Sequence, residues 1–236
     1  MKREYYKWYS PALGRDMEIL VFGHAGLPAL VFPTSCGRYF EFEDRGMIEV
    51  IHDKLEHGHL QLFCVDSVDA ESWYNRDVPP RWKIARHVLY EGYIMEEVVP
   101  FVRMLNHNPL FATMGCSFGG YHALNFALRH PDVFTACLSM SGIFDMRSFL
   151  HGHFDDDVYF QTPPLYVANQ HDSWYFDHYR HGTYILATGH EDQCWDANER
   201  MARVMRDKGI PVRLDVWGDG TGHDWPWWQK MLRSYS

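Results

Sequence analysis

An α/β fold, with a central, mostly parallel sheet and helices on both faces, is predicted by three observations. Short apolar runs of strand length alternate with helix-patterned stretches along most of the chain. Two of those runs, Ala29 to Phe32 and Leu60 to Val65, contain almost no polar residue, as strands covered on both faces require. Between a third run, Leu110 to Met114, and a helical pattern, Tyr121 to His130, lies Gly115-Cys116-Ser117-Phe118-Gly119-Gly120, a G-x-S-x-G-G stretch in strand-turn-helix context.

In order, the chain opens with two strands, Glu4 to Ser10 and Asp16 to Phe22, joined by Pro11-Ala12-Leu13-Gly14 and expected to pair antiparallel at a sheet edge. Ala29 to Phe32, a helical stretch from Glu43 to Glu56 and the strand Leu60 to Asp66 make the first strand-helix-strand unit. A long helix is expected from Pro80 to Leu105, with Ala85, Val88, Leu89, Met95, Val98, Val99 and Val102 on its apolar face. Pro100 should kink it or end it early. Phe134 to Met140 is the strand after the elbow. Residues 143–181 lose periodicity and suit an insertion or lid. Thr183 to Thr188 is the next strand. A helix follows with Ala197, Met201, Val204 and Met205 at i, i+4, i+7 and i+8, stopped by Gly209. Val212 to Trp217 and Asp224 to Leu232 are the last strand and closing helix. The length, 236 residues, fits one domain spanning 1–236, with no internal repeat.

Composition narrows the function. Net charge is -9 with no run of Lys or Arg, which argues against nucleic acid and anionic membranes as partners. No apolar segment approaches a membrane span, and Met1 to Trp8 is followed by no signal-type apolar region. Five cysteines, at 36, 64, 116, 137 and 194, suggest free thiols in a reducing compartment, so a cytoplasmic location is expected. Aromatic residues at 16% exceed what a core of this size needs, and the surplus is expected to line a pocket or lid. The expected partner is a small-molecule ester or thioester, with no cofactor; homo-oligomerisation stays open.

The elbow carries the chemistry. A strand that reverses abruptly into a helix holds its central residue in a strained backbone with the side chain above the sheet, and larger residues at 115 or 119 would collide with neighbouring backbone. The helix dipole favours negative charge developing beside Ser117. Cys116, one position earlier, should turn away and pack. A serine hydroxyl needs a base oriented by a carboxylate, in the chain order Ser, Asp or Glu, His. His223, in the Gly-rich loop after the last strand, has the right order and placement. The acid should lie in Gly189-His190-Glu191-Asp192-Gln193. Asp196 with Glu199 reads instead as a helix cap, leaving Glu191 and Asp192, of which Asp192 sits deeper in the loop. An oxyanion hole needs two backbone donors: Phe118 after the nucleophile, and one from Pro33-Thr34-Ser35-Cys36-Gly37, where Pro33 has no N–H and Ser35 ranks before Cys36.

With these pieces placed, the chain resembles the esterase D-like, antigen 85-like esterase family of the α/β-hydrolase superfamily, which includes S-formylglutathione hydrolases and feruloyl esterases. The matching residues are Gly115 to Tyr121 with Ala123, Arg129 to Phe134, Ser141-Gly142, Gly189 to Asp192 and His223-Asp224-Trp225. The resemblance implies an α/β-hydrolase fold, hydrolysis of an ester or thioester, and Ser117, Asp192 and His223 as nucleophile, acid and base. The sequence departs from many relatives in having Pro33-Thr34 where they carry a His-Gly or Asp-Gly pair.

Three competing readings stand beside this one. An acyltransferase would use the same three residues. A non-catalytic binding module could keep the fold. His151-x-His153-x-Asp155 has metal-ligand spacing, but lies in the aperiodic segment and reads as solvated, so no metal is assigned. Trp225, Trp227 and Trp228 either line a pocket beside His223 or pack the last helix.

Overall fold

The strands β1 (Arg3–Ser10), β2 (Arg15–Phe22), β3 (Leu27–Phe32), β4 (Leu60–Val65), β5 (Ala112–Cys116), β6 (Ala136–Met140), β7 (Thr183–Gly189) and β8 (Arg213–Trp217) form one sheet. Their order is β1-β2-β4-β3-β5-β6-β7-β8. Only β2 runs against its neighbours β1 and β4; every other pairing is parallel. The computed structural model describes residues 1–218 and 220–236. β3 to β5 are buried almost throughout, because helices cover both faces, whereas β1 at the edge alternates half-buried Tyr6 and Trp8 with exposed Tyr5 and Tyr9.

One face is covered by α4 (Pro80–Tyr93), α5 (Val99–Leu105) and α6 (Phe118–Arg129), the other by α1 (Glu41–Asp44), α2 (Met47–Val50), α3 (His52–Glu56) and α11 (Trp225–Tyr235). The helix expected from Glu43 to Glu56 is three short pieces, broken at Gly46, which adopts φ 69°, and at Ile51, which takes φ -122° and ψ 18°. The long helix from Pro80 to Leu105 does not end early. A π-helical segment, Ile94–Val98, joins α4 to α5 and resets the ladder, so that Pro100 falls in the first turn of α5, where its missing N–H costs nothing. Val98, Val99 and Val102 are buried as expected, but in α4 the buried face differs from the expected one. Leu89 is exposed, and Ile84, His87, Tyr90 and Tyr93 point inward. Apolar periodicity missed this face because half of it is aromatic and polar: His87 and the Tyr90 hydroxyl reach buried hydrogen-bond partners, the latter the Asp66 carbonyl at 2.8 Å.

Residues 143–181 are helical, not irregular. A 3₁₀ segment (Met146–Leu150) precedes α7 (Asp156–Phe160), α8 (Pro163–Ala168) and α9 (Ser173–Tyr179), each too short to show a period. Asp155 and Asp172 cap α7 and α9 by accepting from the N–H of Val158 and Trp174. The insertion is tied down by Gln161, which is fully buried. Its Oε1 accepts from Asn125 Nδ2 (2.6 Å) and faces His87 Nε2 (3.1 Å), its Nε2 donates to Glu91, and its carbonyl accepts from Tyr121 Oη (2.9 Å). Asn125 and Tyr121 belong to α6, so the network joins the insertion to the elbow helix itself. The last helix before β8, α10 (Trp195–Asp207), buries Met201, Ala202 and Met205. Its N-cap is Cys194, not Asp196, which lies in the first turn.

Two outcomes follow from this packing. Gln161→Leu strands His87 and Glu91 of α4 and Asn125 of α6 and should lower unfolding free energy by about 2 kcal/mol or more, with faster proteolysis inside 143–181. Burial, reinforced by nearby His122, lowers the His87 pKa from 6.5 to about 3. Below pH 6.5 the unfolded chain takes up a proton there that the folded chain refuses, so this residue's contribution to stability is complete above 6.5 and falls as the pH drops towards 3. Urea midpoints measured across that range should fall less steeply in His87→Gln than in the wild type.

Candidate active site

Ser117 sits at φ 55° and ψ -119°, a conformation that L-residues rarely adopt and that the surrounding packing must hold. Its N–H donates to the Met140 carbonyl on β6 at 2.8 Å. A Cβ at Gly115 would stand 2.3 Å from the Gly119 carbonyl oxygen, and one at Gly119 would stand 2.3 Å from that of Phe32, so both positions exclude any other residue. Phe32 stacks on Phe126 of α6 at 5.1 Å, fixing the helix against the sheet from below. Cys116 is buried and its thiol pushed well above its usual pKa by burial, as a packing residue should be.

The loop after β8 brings His223 over the elbow. Its Nε2 lies 2.9 Å from Ser117 Oγ and its Nδ1 2.9 Å from Asp192 Oδ1. Asp192 follows β7. Its Oδ1 also accepts from the Cys194 N–H at 2.7 Å, and its Oδ2 from Ser141 Oγ. Burial pushes the Asp192 pKa up, but these donors outweigh it and hold the carboxyl below the ordinary value. A carboxylate only accepts, so Nδ1 carries the imidazole proton and Nε2 faces the serine as an acceptor. Glu191, the competing carboxylate, is exposed, and its Oε1 accepts from the Gly220 N–H at 3.2 Å while its own N–H reaches the Thr221 carbonyl. It fastens the histidine loop and stays away from the ring.

On the other side of Ser117, Gly37 N–H donates to the Thr34 carbonyl at 2.8 Å, closing a turn in which Cys36 takes φ 58°. Thr34 N–H is held by Glu41 at 2.8 Å. Among the described residues the N–H groups of Phe118, Ser35 and Cys36 meet no protein acceptor. Ser35 Oγ bonds to Tyr74 Oη at 2.6 Å, and the Tyr74 ring lies 5.1 Å from Phe118 and 5.2 Å from Phe149 of the insertion. An aromatic wall therefore flanks the serine.

The family described as "Putative esterase" matches residues 24–235. The chain belongs to that esterase family. Among solved structures it is similar to a ferulic acid esterase, with TM-score 0.76, 19% identity, and 99% of this chain and 96% of the other covered. An S-formylglutathione hydrolase from Agrobacterium tumefaciens gives TM-score 0.76 at 12% identity, covering 99% and 92%. The fluorophosphonate-binding serine hydrolase F of Staphylococcus aureus gives 0.65 at 15%, covering 99% and 96%. No curated protein sequence matches significantly. The sheet order and these likenesses identify an α/β-hydrolase fold, and family membership makes the chain a carboxylic ester hydrolase.

Two side chains at the site, Tyr74 and Cys194, were assigned no place there from the sequence, and two that were named, Ser141 and Trp228, take roles that only the structure shows. Ser141 lies at φ 57° at the end of β6, bonded to Asp192 and accepting from Trp228 Nε1 at 2.8 Å. Trp228 meets the His223 ring edge-on at 4.9 Å, so this tryptophan steadies the histidine while Trp225 packs on it at 5.0 Å. Tyr74 and Cys194 complete the surroundings. Ser141-Gly142, a small pair at a strand end beside the elbow strand, and Trp228, five residues after His223, left usable signals; Tyr74 and Cys194 left none. His151, His153 and Asp155 do not assemble: His153 pairs with Asp155 at 2.8 Å on the surface, where Asp155 caps α7.

Ser141→Ala removes one donor from Asp192 and the acceptor of Trp228. With p-nitrophenyl acetate, kcat should fall by about tenfold with little change in KM, and the unfolding free energy should drop by about 1–3 kcal/mol.

Proposed function

We propose that the chain hydrolyses a carboxylic ester or thioester through an acyl-enzyme on Ser117. The observation that carries this reading is the unbroken line of hydrogen bonds from Ser117 Oγ through both nitrogens of His223 to the ionised Asp192. As Ser117 Oγ attacks the acyl carbon, His223 Nε2 takes its proton and Asp192 stabilises the imidazolium. The N–H groups of Phe118 and Ser35 receive the oxyanion, with Cys36 the alternative to Ser35; the other amides of that turn, Thr34 and Gly37, are already engaged. His223 then hands the proton to the departing alcohol or thiol, and a water molecule repeats the sequence to release the acid.

A cytoplasmic site of action fits the five cysteines, none of which is paired, and no helix of the described residues is long and apolar enough to cross a membrane.

Treatment with a fluorophosphonate probe and mapping by mass spectrometry tests the mechanism. An adduct on Ser117, lost in Ser117→Ala together with a fall in ester turnover on the order of 10⁴-fold or more, is the expected result. Folded wild-type protein that hydrolyses esters without forming that adduct would overturn it.

A further inference from the structure

We propose that Asp192, Cys194 and His223 form an inhibitory site for a thiophilic divalent cation such as Zn²⁺. A carboxylate oxygen of Asp192, the Cys194 Sγ and a ring nitrogen of His223 all lie within 4.8 Å of one another, the only such group among the described residues. A tetrahedral ion with bonds of about 2.0–2.3 Å to sulfur, nitrogen and oxygen holds its ligands about 3.3–3.8 Å apart, so the most separated pair closes by at most about 1 Å, while His223 Nδ1 and Asp192 Oδ1, 2.9 Å apart, part slightly to admit it. One thiol, one imidazole and one carboxylate make a donor set suited to zinc or cadmium and poor for magnesium or calcium.

The site is built as a metal site needs to be. Asp192 and Cys194 are buried, and Ser141 fixes the outer oxygen of Asp192 while the Cys194 backbone N–H fixes the inner one. A cavity of about 610 Å³, lined by Asp145, Arg147, Asp196 and Arg200 among others, reaches Cys194, the one of the three ligands that it touches.

The consequence for catalysis rests on the hydrolase reading above. Nδ1 is the ring nitrogen that faces Asp192, so it is the one a cation bound there would take. The remaining proton then sits on Nε2, and a ring protonated at Nε2 cannot accept the proton of Ser117. Occupation of the site and deprotonation of the nucleophile are mutually exclusive.

Fifteen histidines offer other places for zinc, so the test must report locally. The purified chain is titrated with Cd²⁺ while the thiolate-to-metal absorption band is followed, and with Zn²⁺ while fluorophosphonate labelling of Ser117 is followed. The wild type should show one thiolate band and progressive loss of labelling, both reversed by EDTA. Cys36→Ser, which removes the exposed thiol, should keep the band. Cys194→Ser should lose it and require at least about tenfold more zinc to block labelling; Cys194→Ala, which also keeps the backbone donor, stands in should the serine variant misfold. Equal zinc sensitivity in the Cys194 variants, or no thiolate band in the wild type at millimolar cadmium, overturns the proposal. Absence of labelling before any metal is added counts instead against the nucleophile assignment, and the cadmium band still decides the metal site.

Discussion

Everything in this molecule that bears on chemistry depends on the backbone of one residue being forced into a conformation it would not choose. Ser117 at φ 55° costs on the order of 1–3 kcal/mol, and the structure sustains that cost by bracing the turn from three sides. Its amide is pinned to β6, Gly119 presses on the Phe32 carbonyl of β3, and Gly115 presses on Gly119. The result is a hydroxyl held at a fixed height above the parallel strands and a helix N-terminus directly beneath it. A hydrolytic site needs that rigidity, since hydrogen-bond donors help only if they already point at the charge that develops.

Around this point the fold arranges two supports of different character. Asp192 is a buried charge stabilised by three donors, and Ser141 links it to Trp228, which in turn meets His223. This closes a loop of contacts from β6 through β7 to α11 and back to the ring. The second support lies along α6, where the insertion is anchored through Gln161 to Asn125 and Tyr121. The same helix therefore carries Ser117 at its N-cap and the insertion along its length. Phe149, from that insertion, reaches the aromatic wall above the serine, so substrate-facing surface and structural anchor belong to one packed unit.

A buried carboxylate, an imidazole and a thiol within 4.8 Å also show how closely a hydrolase site approaches a metal site in chemistry. The difference lies in whether the space between the donors holds a proton or a cation.

From the sequence alone, the alternation of apolar strands with helices determined the layered sheet, and the glycines at 115 and 119 determined the elbow. Both are local requirements, satisfied within a few residues, and so are visible in one dimension. The placement of Ser117, Asp192 and His223 just after or in the loops following β5, β7 and β8 is legible for the same reason. What only the tertiary structure decided was which groups meet across long separations. The choice between Glu191 and Asp192 turns on the donors from Ser141 and Cys194; the inward face of α4 turns on polar partners that apolar periodicity cannot register. The helices of 143–181 are too short to show a period and owe their order to burial against α6 and α10. Partners distant in sequence leave no pattern in it, because a hydrogen bond or a ring contact depends on where two side chains end up and not on how far apart they are along the chain.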